Sequence, residues 1–261
     1  MEFADLDLIR LAPAYLPVLA RVGAVVAIAP PFASAAVPPR VRVIIALALT
    51  VGLMPTIAAR PMVPSSVGQV FIAVGTEALI GLAIGLAIRL VFAAAQWAGE
   101  IIAQQMGLSL AESFDPRAGG DGTSIGQLYW LLATVVFLGA NGHHALLRGL
   151  TSSFDVLPVG QGVASMRMVD LLVGLVQSCS ILALQLAAPV IITLLMVDLS
   201  MGMVGKAMPQ IGVMSAGVTM RSIAGLIVLI AGVALTVRVI QGATLNWMQL
   251  VQSQVSSLAG K

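Results

Sequence analysis

The sequence GLAIGLAIRLVFAAAQWAGEIIAQQMGLSL, Gly81–Leu110, decides how this chain folds. Its first half is apolar enough to lie in lipid, and it runs without a proline into a more polar second half. At about 100° per residue, Arg89, Gln96 and Glu100 fall on one face of the predicted helix. Gln104 lies close to that face. Ionisable groups in such segments usually face a bundle interior or a water-filled cavity. The stretch therefore predicts a long helix that is membrane-like in part and wet along one face.

A loop follows this helix, with the sequence SFDPRAGGDGT at Ser113–Thr123. Glycine, proline and aspartate favour a loop over either regular element. The glycines permit backbone conformations closed to other residues, Phe114 offers an apolar contact, and Asp115–Pro116 supplies a turn. A wet helix face that leads into such a loop predicts a conduit with a mobile segment, Gly107–Thr123, in its mouth. The alternative is a loop that merely connects two helices at the outer surface.

The composition of the whole chain is that of a membrane protein. Hydrophobic residues make up 59% of the 261 residues and charged residues only 9%, whereas soluble domains carry about 25% charge. The mean hydropathy is +1.04. Two runs, Gly122–Leu147 and Leu171–Val197, contain no charge, and each exceeds the roughly 20 residues that a helix needs to cross a bilayer. A large buried core helix explains one such run but not two, so the chain is predicted to be integral to a membrane.

The pattern predicts an all-α, membrane-type protein of about six hydrophobic helices in kinked hairpins, without β-sheet. The acidic N-terminus is unlike a secretory signal peptide, so the first hydrophobic segment is expected to remain as an uncleaved anchor. Arg148–Asp170 is predicted to be a soluble segment, and the last two helices form a hairpin around Met208–Gly212. The six predicted helices are Pro13–Ala36, Val41–Ala58, Val67–Leu110, Ser124–Leu147, Leu171–Lys206 and about Val213–Ser253.

The sequence predicts no catalytic, metal or cofactor site, and thus no enzyme. His143 and His144 are adjacent in a turn (NGHH) that caps the fourth helix, so they are expected to diverge rather than share a metal as an i, i+4 pair would. Motifs such as GxSxG and HExxH are absent, and Cys179 is the single cysteine. A net charge of +2 without a Lys/Arg cluster also argues against nucleic-acid binding.

Four blocks of sequence resemble the FliR family, the flagellar biosynthetic subunits of the type III export gate. The resemblance runs in order from about Leu11 to Arg238. NGHH favours the flagellar branch over the related virulence-type (injectisome) secretion subunit. The blocks are ARVGAVVAIAPPFASAAVPPRVRV (Ala20–Val43), AGEIIAQQMGLSLAESFDP (Ala98–Pro116), NGHHALLRGLTSSFDVLP (Asn141–Pro158) and APVIITLLMVDLSMGMVGKAMPQI (Ala188–Ile211).

The resemblance implies a subunit of a helical, cone-shaped gate in the bacterial inner membrane, within the flagellar basal body. One such chain assembles there with five P subunits and four Q subunits, and the export component FlhB associates with the gate. The gate lies in membrane lipid and conducts unfolded flagellar proteins. Residues 1–170 then correspond to a P-like portion, and residues 171–261 to a Q-like helical hairpin. The loop at about residues 107–123 corresponds to a plug in the pore.

The resemblance and the helix pattern assign roles to two groups of residues. The predicted plug comprises Gly107, Phe114, Asp115, Pro116, Gly119, Gly120 and Gly122. The predicted polar seam and subunit contacts comprise Glu77, Arg89, Gln96, Glu100, Gln104, Lys206, Pro209 and Gln210.

Two other classes of protein remain as alternatives. A secondary transporter would need Glu77, Arg89 or Glu100 to bind a coupling ion. An intramembrane enzyme is the weaker alternative.

Overall fold

Helices account for nearly all of the chain that the computed structural model describes, namely residues 8–34, 37–57, 66–108, 122–160, 166–207 and 213–258. No strand occurs in these ranges, and the predicted all-α class is confirmed. The helices are α1 (Leu8–Ile28), α2 (Pro30–Ala33), α3 (Pro39–Ile57), α4 (Val67–Gln105), α5 (Ser124–Gly139), α6 (Gly142–Val156), α7 (Met166–Ala207) and α8 (Val213–Leu258).

The long helix α4 begins where the sequence predicts and ends earlier. At its start, the Ser66 hydroxyl accepts a hydrogen bond from the Gln69 amide at 3.3 Å, as N-terminal capping residues do. At its end, Gly107 adopts a left-handed conformation with φ of +77°. A glycine in that conformation is a common helix stop. The helix therefore ends at Gln105 rather than at the predicted Leu110.

The predicted fourth helix, Ser124–Leu147, is wrong as a single helix. The backbone breaks at Asn141, whose φ of +55° is left-handed, and α5 and α6 lie on either side. Asparagine tolerates this conformation better than most residues, and a glycine follows it. Because α6 continues to Val156, the first part of the predicted soluble segment from Arg148 is helical. The NGHH sequence begins this next helix instead of merely ending the previous one.

Within the described part of the chain, three helical stretches are long and apolar enough to cross a membrane: Val67–Gln105, Leu172–Ala207 and Gly217–Thr244. The bent pair α5 and α6 can supply a fourth span. α1 is 21 residues long, and its described apolar stretch is Tyr15–Ile28. The uncleaved anchor stays a prediction.

The chain packs into two compact units, and the boundaries cut through α4, α7 and α8. One unit comprises Met1–Leu90, Asn141–Val176 and Thr244–Lys261, and the other comprises Val91–Ala140 and Gln177–Ala243. This division follows packing. The predicted division at residue 170 follows the resemblance to two kinds of subunit, and it stays a prediction.

In the first unit, α1 packs against α3 and against the first part of α4. A Cβ atom on Gly81 would lie 2.2 Å from the carbonyl oxygen of Arg21, so only glycine permits this approach. A Cβ on Gly85 would lie 3.2 Å from the Ile28 side chain. The small-xxx-small pair of α4 therefore packs within the chain.

In the second unit, α4 and α5 come into backbone contact. A Cβ on Gly99 would lie 2.6 Å from the Cα of Gly126, so neither helix could approach as closely with a larger residue at this point. The ring of Phe92 packs against Trp130 and Phe137, with centroid distances of 6.5 and 5.5 Å. This contact fixes α5 beside the polar part of α4.

Candidate functional site

The start of the predicted plug is attached to α8. Met106 is buried, and its carbonyl oxygen accepts a hydrogen bond from the Ser222 hydroxyl at 3.0 Å. Its side chain fills the space beside Gly225, where a Cβ would lie 2.6 Å from the methionine Cγ. Gly107 follows, with Val218 close to its Cα. A hydrogen bond and a packed side chain thus hold the end of α4 on α8.

The end of the predicted plug lies against a polar pair of α4. Gln96 donates a hydrogen bond from Nε2 to Oε1 of Glu100 at 3.2 Å. Gly122 has φ of +116°, and a Cβ there would lie 2.9 Å from Gln96 Nε2 and 3.0 Å from Glu100 Oε1. Next in the chain, Thr123 caps α5 by accepting a hydrogen bond from the Gly126 amide at 3.1 Å. The polar face of α4 and the start of α5 therefore meet at this point.

The structure brings only some residues of the predicted polar seam into contact with one another. Gln96 and Glu100 contact each other, whereas Arg89 and Gln104 are exposed elsewhere on α4, and Lys206 is exposed at the end of α7. Exposed charges on apolar helices usually face a cavity or a partner. The predicted residues that lie outside the described part of the chain are Phe114, Asp115, Pro116, Gly119, Gly120, Pro209 and Gln210.

Glu77 does not lie at a surface. Its side chain has no exposure, and Arg21 donates from Nε to its Oε2 at 2.5 Å. The other carboxylate oxygen accepts the Gly160 amide at 3.0 Å. The carboxylate that was predicted to contact another subunit is therefore enclosed within its own chain, where α1 supplies the counter-charge.

Arg21 joins α1 to three other parts of the first unit. Besides Glu77, its guanidinium donates to the Ser153 hydroxyl at 3.1 Å and to the Leu157 carbonyl oxygen at 2.9 Å. The Phe154 ring centroid lies 4.1 Å from its Cζ, within the range of a cation–π contact. A buried ion pair needs such additional partners to offset the loss of hydration. Arg21 was not among the predicted site residues, although an arginine in the apolar middle of a helix was a usable signal.

A second ion pair joins α7 to α8. Arg221 Nε donates to the carboxylate of Asp198, and these side chains are 41% and 34% exposed respectively. A cavity of about 530 Å³ lies beside the pair and includes Gly202 and Gly217 in its lining. The pair connects the two helices of the hairpin directly.

The two histidines contact each other instead of diverging as predicted. The ring centroids of His143 and His144 lie 4.2 Å apart. Among the described residues, no group of three or more His, Cys, Asp or Glu side chains is arranged to hold a metal ion.

Comparison with known proteins gives consistent matches over most of the chain. The family described as bacterial export proteins, family 1, matches residues 12–247. The flagellar biosynthetic protein FliR of Bacillus subtilis (strain 168) is 33% identical over 227 residues, covering 86% of this chain and 87% of the relative. FliR of Escherichia coli (strain K12) is 32% identical over 202 residues, covering 76% of each. The surface presentation of antigens protein SpaR of Shigella flexneri is 29% identical over 153 residues, covering 59% of each.

The fold shows the class of protein, and the matches show the family. Its long apolar helices, with an ion pair enclosed between them, place it in the class of helical, multi-span membrane proteins. Within that class, the chain belongs to the FliR family of bacterial export proteins.

Proposed function

We propose that this chain is the export-gate subunit of a flagellar type III protein secretion apparatus, through which unfolded flagellar proteins leave the cell. The observation that carries the proposal is the family match, which spans residues 12–247 and includes the loop flanks and the α7–α8 hairpin. The relatives that match over most of their length are named as flagellar biosynthetic proteins. The role needs no catalytic residue, because transport through a conduit depends on shape and assembly.

The proposed assembly contains five P subunits and four Q subunits, associated with FlhB, in the inner membrane and flagellar basal body. Large apolar side chains on the α7–α8 hairpin support it: Leu199, Met203 and Ile230 are 63%, 69% and 65% exposed. Extended apolar surface of this kind marks contact with other proteins or with lipid. Neighbouring subunits and membrane lipid would together cover it.

The proposed plug, residues 107–123, closes the conduit of this assembly. The assignment rests on the resemblance, and the fixed positions of its flanks support it. Met106 is held on α8 by Ser222 and Gly225, and Gly122 lies against the polar pair of α4. Flanks held in this way would keep the intervening segment over one place in the pore, with Phe114 making an apolar seal.

Co-purification tests the assembly. The tagged chain, extracted from membranes in mild detergent, is expected to bring P and Q subunits with it, whereas a secondary transporter need bring none. An unrelated tagged membrane protein of similar hydropathy, extracted in parallel, controls for non-specific association. Recovery of the chain alone, well folded and monodisperse in detergent, would contradict the assignment.

Conductance of the assembled complex tests the plug separately. Deleting residues 114–122 should leave co-purification largely intact and make the membrane leaky to small ions. Phe114→Ala, which keeps the length of the loop, should give a smaller leak of the same kind. A deletion variant as tight as the wild type would mean that the loop only connects α4 to α5.

An injectisome gate is the second candidate, because the Shigella flexneri SpaR protein also matches. That match covers 59% of the chain, and the Bacillus subtilis FliR match covers 86%, which favours the flagellar role. Restoring motility in a flagellar strain that lacks its own subunit distinguishes the two.

A further inference from the structure

A groove runs between α1 and α3 in the first unit. It has a volume of about 390 Å³, which falls within the roughly 300–1,000 Å³ of small-ligand sites. Its wall is apolar except for Arg42, and small residues keep it open. A Cβ on Gly23 would meet no atom within 4 Å, so the groove is empty at that point. Other lining residues include Leu19, Ala27, Ala46 and Leu47.

Arg42 has an unused donor in this groove. One terminal nitrogen of its guanidinium donates to the Ser34 carbonyl oxygen at 2.8 Å. Its Nε is buried and has no hydrogen-bond partner among the described residues. A buried N–H without an acceptor is costly, so such groups are normally paired. The guanidinium edge that contains Nε is one of those that can bind phosphate or carboxylate through two parallel bonds.

Arg42 has no carboxylate near it in the sequence. The sequence contains no aspartate or glutamate between Asp7 and Glu77, and Glu77 is already bound by Arg21. Arg40, two residues before Arg42, adds a second positive charge in the first turn of α3, where it is exposed outside the lining of the groove. The groove therefore joins an apolar cleft to a cationic end that suits an anion.

We propose that this groove binds an anionic phospholipid, with the phosphate on Arg42 and one acyl chain in the cleft. An acyl chain is narrow and flexible, and the apolar wall of the groove suits it. Arginines near helix ends commonly reach the headgroup level while apolar residues lie deeper. The side chain of Val43, at the groove, is 58% exposed, and that of Ile44, at 63%, continues the apolar surface.

Lipid retention by the purified complex tests this proposal. The tagged chain with its co-purifying partners is washed in detergent, and bound phosphatidylglycerol and phosphatidylcholine are quantified by mass spectrometry. The wild type should retain phosphatidylglycerol in preference. Arg42→Gln should reduce that retention about tenfold, as expected for the loss of a charge-assisted hydrogen bond. Arg40→Gln should have a smaller effect, because an exposed charge is screened by solvent.

Two glycine variants separate occupancy of the groove from general damage. Gly23→Leu fills the cleft and should abolish retention. Gly52→Leu changes an open position of α3 that does not line the groove, and it should leave lipid retention unchanged. If Arg42→Gln prevents assembly, Gly23→Leu still tests the proposal, because it blocks the same cleft and leaves the arginines in place.

Several results would overturn the proposal. Equal retention of the two lipids would show that no anion is recognised. Unchanged retention in both Arg42→Gln and Gly23→Leu would place the bound lipid elsewhere. A zero-length cross-link between a partner subunit's carboxylate and an Arg42→Lys variant, in a complex free of phosphatidylglycerol, would assign the counter-charge to that partner. Since the measurement does not involve transport, it fails or succeeds independently of the export function.

Discussion

Removing one partner of the buried Arg21–Glu77 pair should destabilise the chain strongly. Arg21→Met leaves a carboxylate of zero exposure with only the Gly160 amide as a donor. Breaking a buried pair in this way typically costs about 3–5 kcal/mol, because an uncompensated charge stays inside. Glu77→Leu leaves Arg21 buried without its counter-charge and should also destabilise the chain, although the contacts of Arg21 with Ser153 and Leu157 remain. Either loss is a large fraction of the roughly 5–15 kcal/mol that keeps a typical protein folded.

The double variant Arg21→Met/Glu77→Leu should cost less than the sum of the single variants. Both charges are then absent, and the remaining cost comes from the hydrogen-bonding groups of Ser153, Leu157 and Gly160 that lose a partner. The coupling energy between the two positions should therefore differ clearly from zero and lie within the roughly 0.5–3 kcal/mol found for contacting residues.

Denaturant titration of the complex purified through the tagged chain, followed by the chain's loss of protection from proteolysis, measures these differences. Arg148→Met, which removes an exposed arginine of α6, is the matched control and should unfold like the wild type. Additive single-variant effects, or single effects no larger than that of the control, would refute the view that the pair is an enclosed node holding α1 to α4.

Three further changes have defined outcomes. Gly81→Val should cost at least about 1–3 kcal/mol in the same titration, because its Cβ would overlap a backbone oxygen of α1, whereas Gly75→Val at an open position should cost much less. Thr123→Ala removes the cap of α5 and should cost about 0.5–2 kcal/mol. A capping loss below the scatter of the measurement would contradict the assigned bond. Pro209→Ala should lower the recovery of P and Q subunits more than it changes helix content, and undiminished recovery would count against a role in assembly.

Local sequence signals predicted about half of the helix ends. The bounds of α3, the starts of α4, α5 and α8, and the end of α7 lie within two residues of the predicted ones. The turn at Asn141–His144 was predicted, but the helix that follows it was not, because periodicity within a run of 26 residues without charge does not distinguish one helix from two.

Contacts between distant parts of the chain were beyond the reach of sequence periodicity. The i, i+4 spacing of Gln96 and Glu100 is local and could be read from the sequence. Glu77 and Arg21 are 56 residues apart, and nothing in either helix indicates which helices pack together. For the same reason, the pairing of Asp198 in α7 with Arg221 in α8 was not predicted.

Secretion by living cells tests the central claim most directly. In a strain that lacks this chain and keeps all other flagellar genes, the amount of filament protein exported to the medium is measured. The account predicts that export is lost and is restored by the wild-type chain from a plasmid. Undiminished export of filament protein in the absence of the chain would contradict its assignment as a subunit of the export gate.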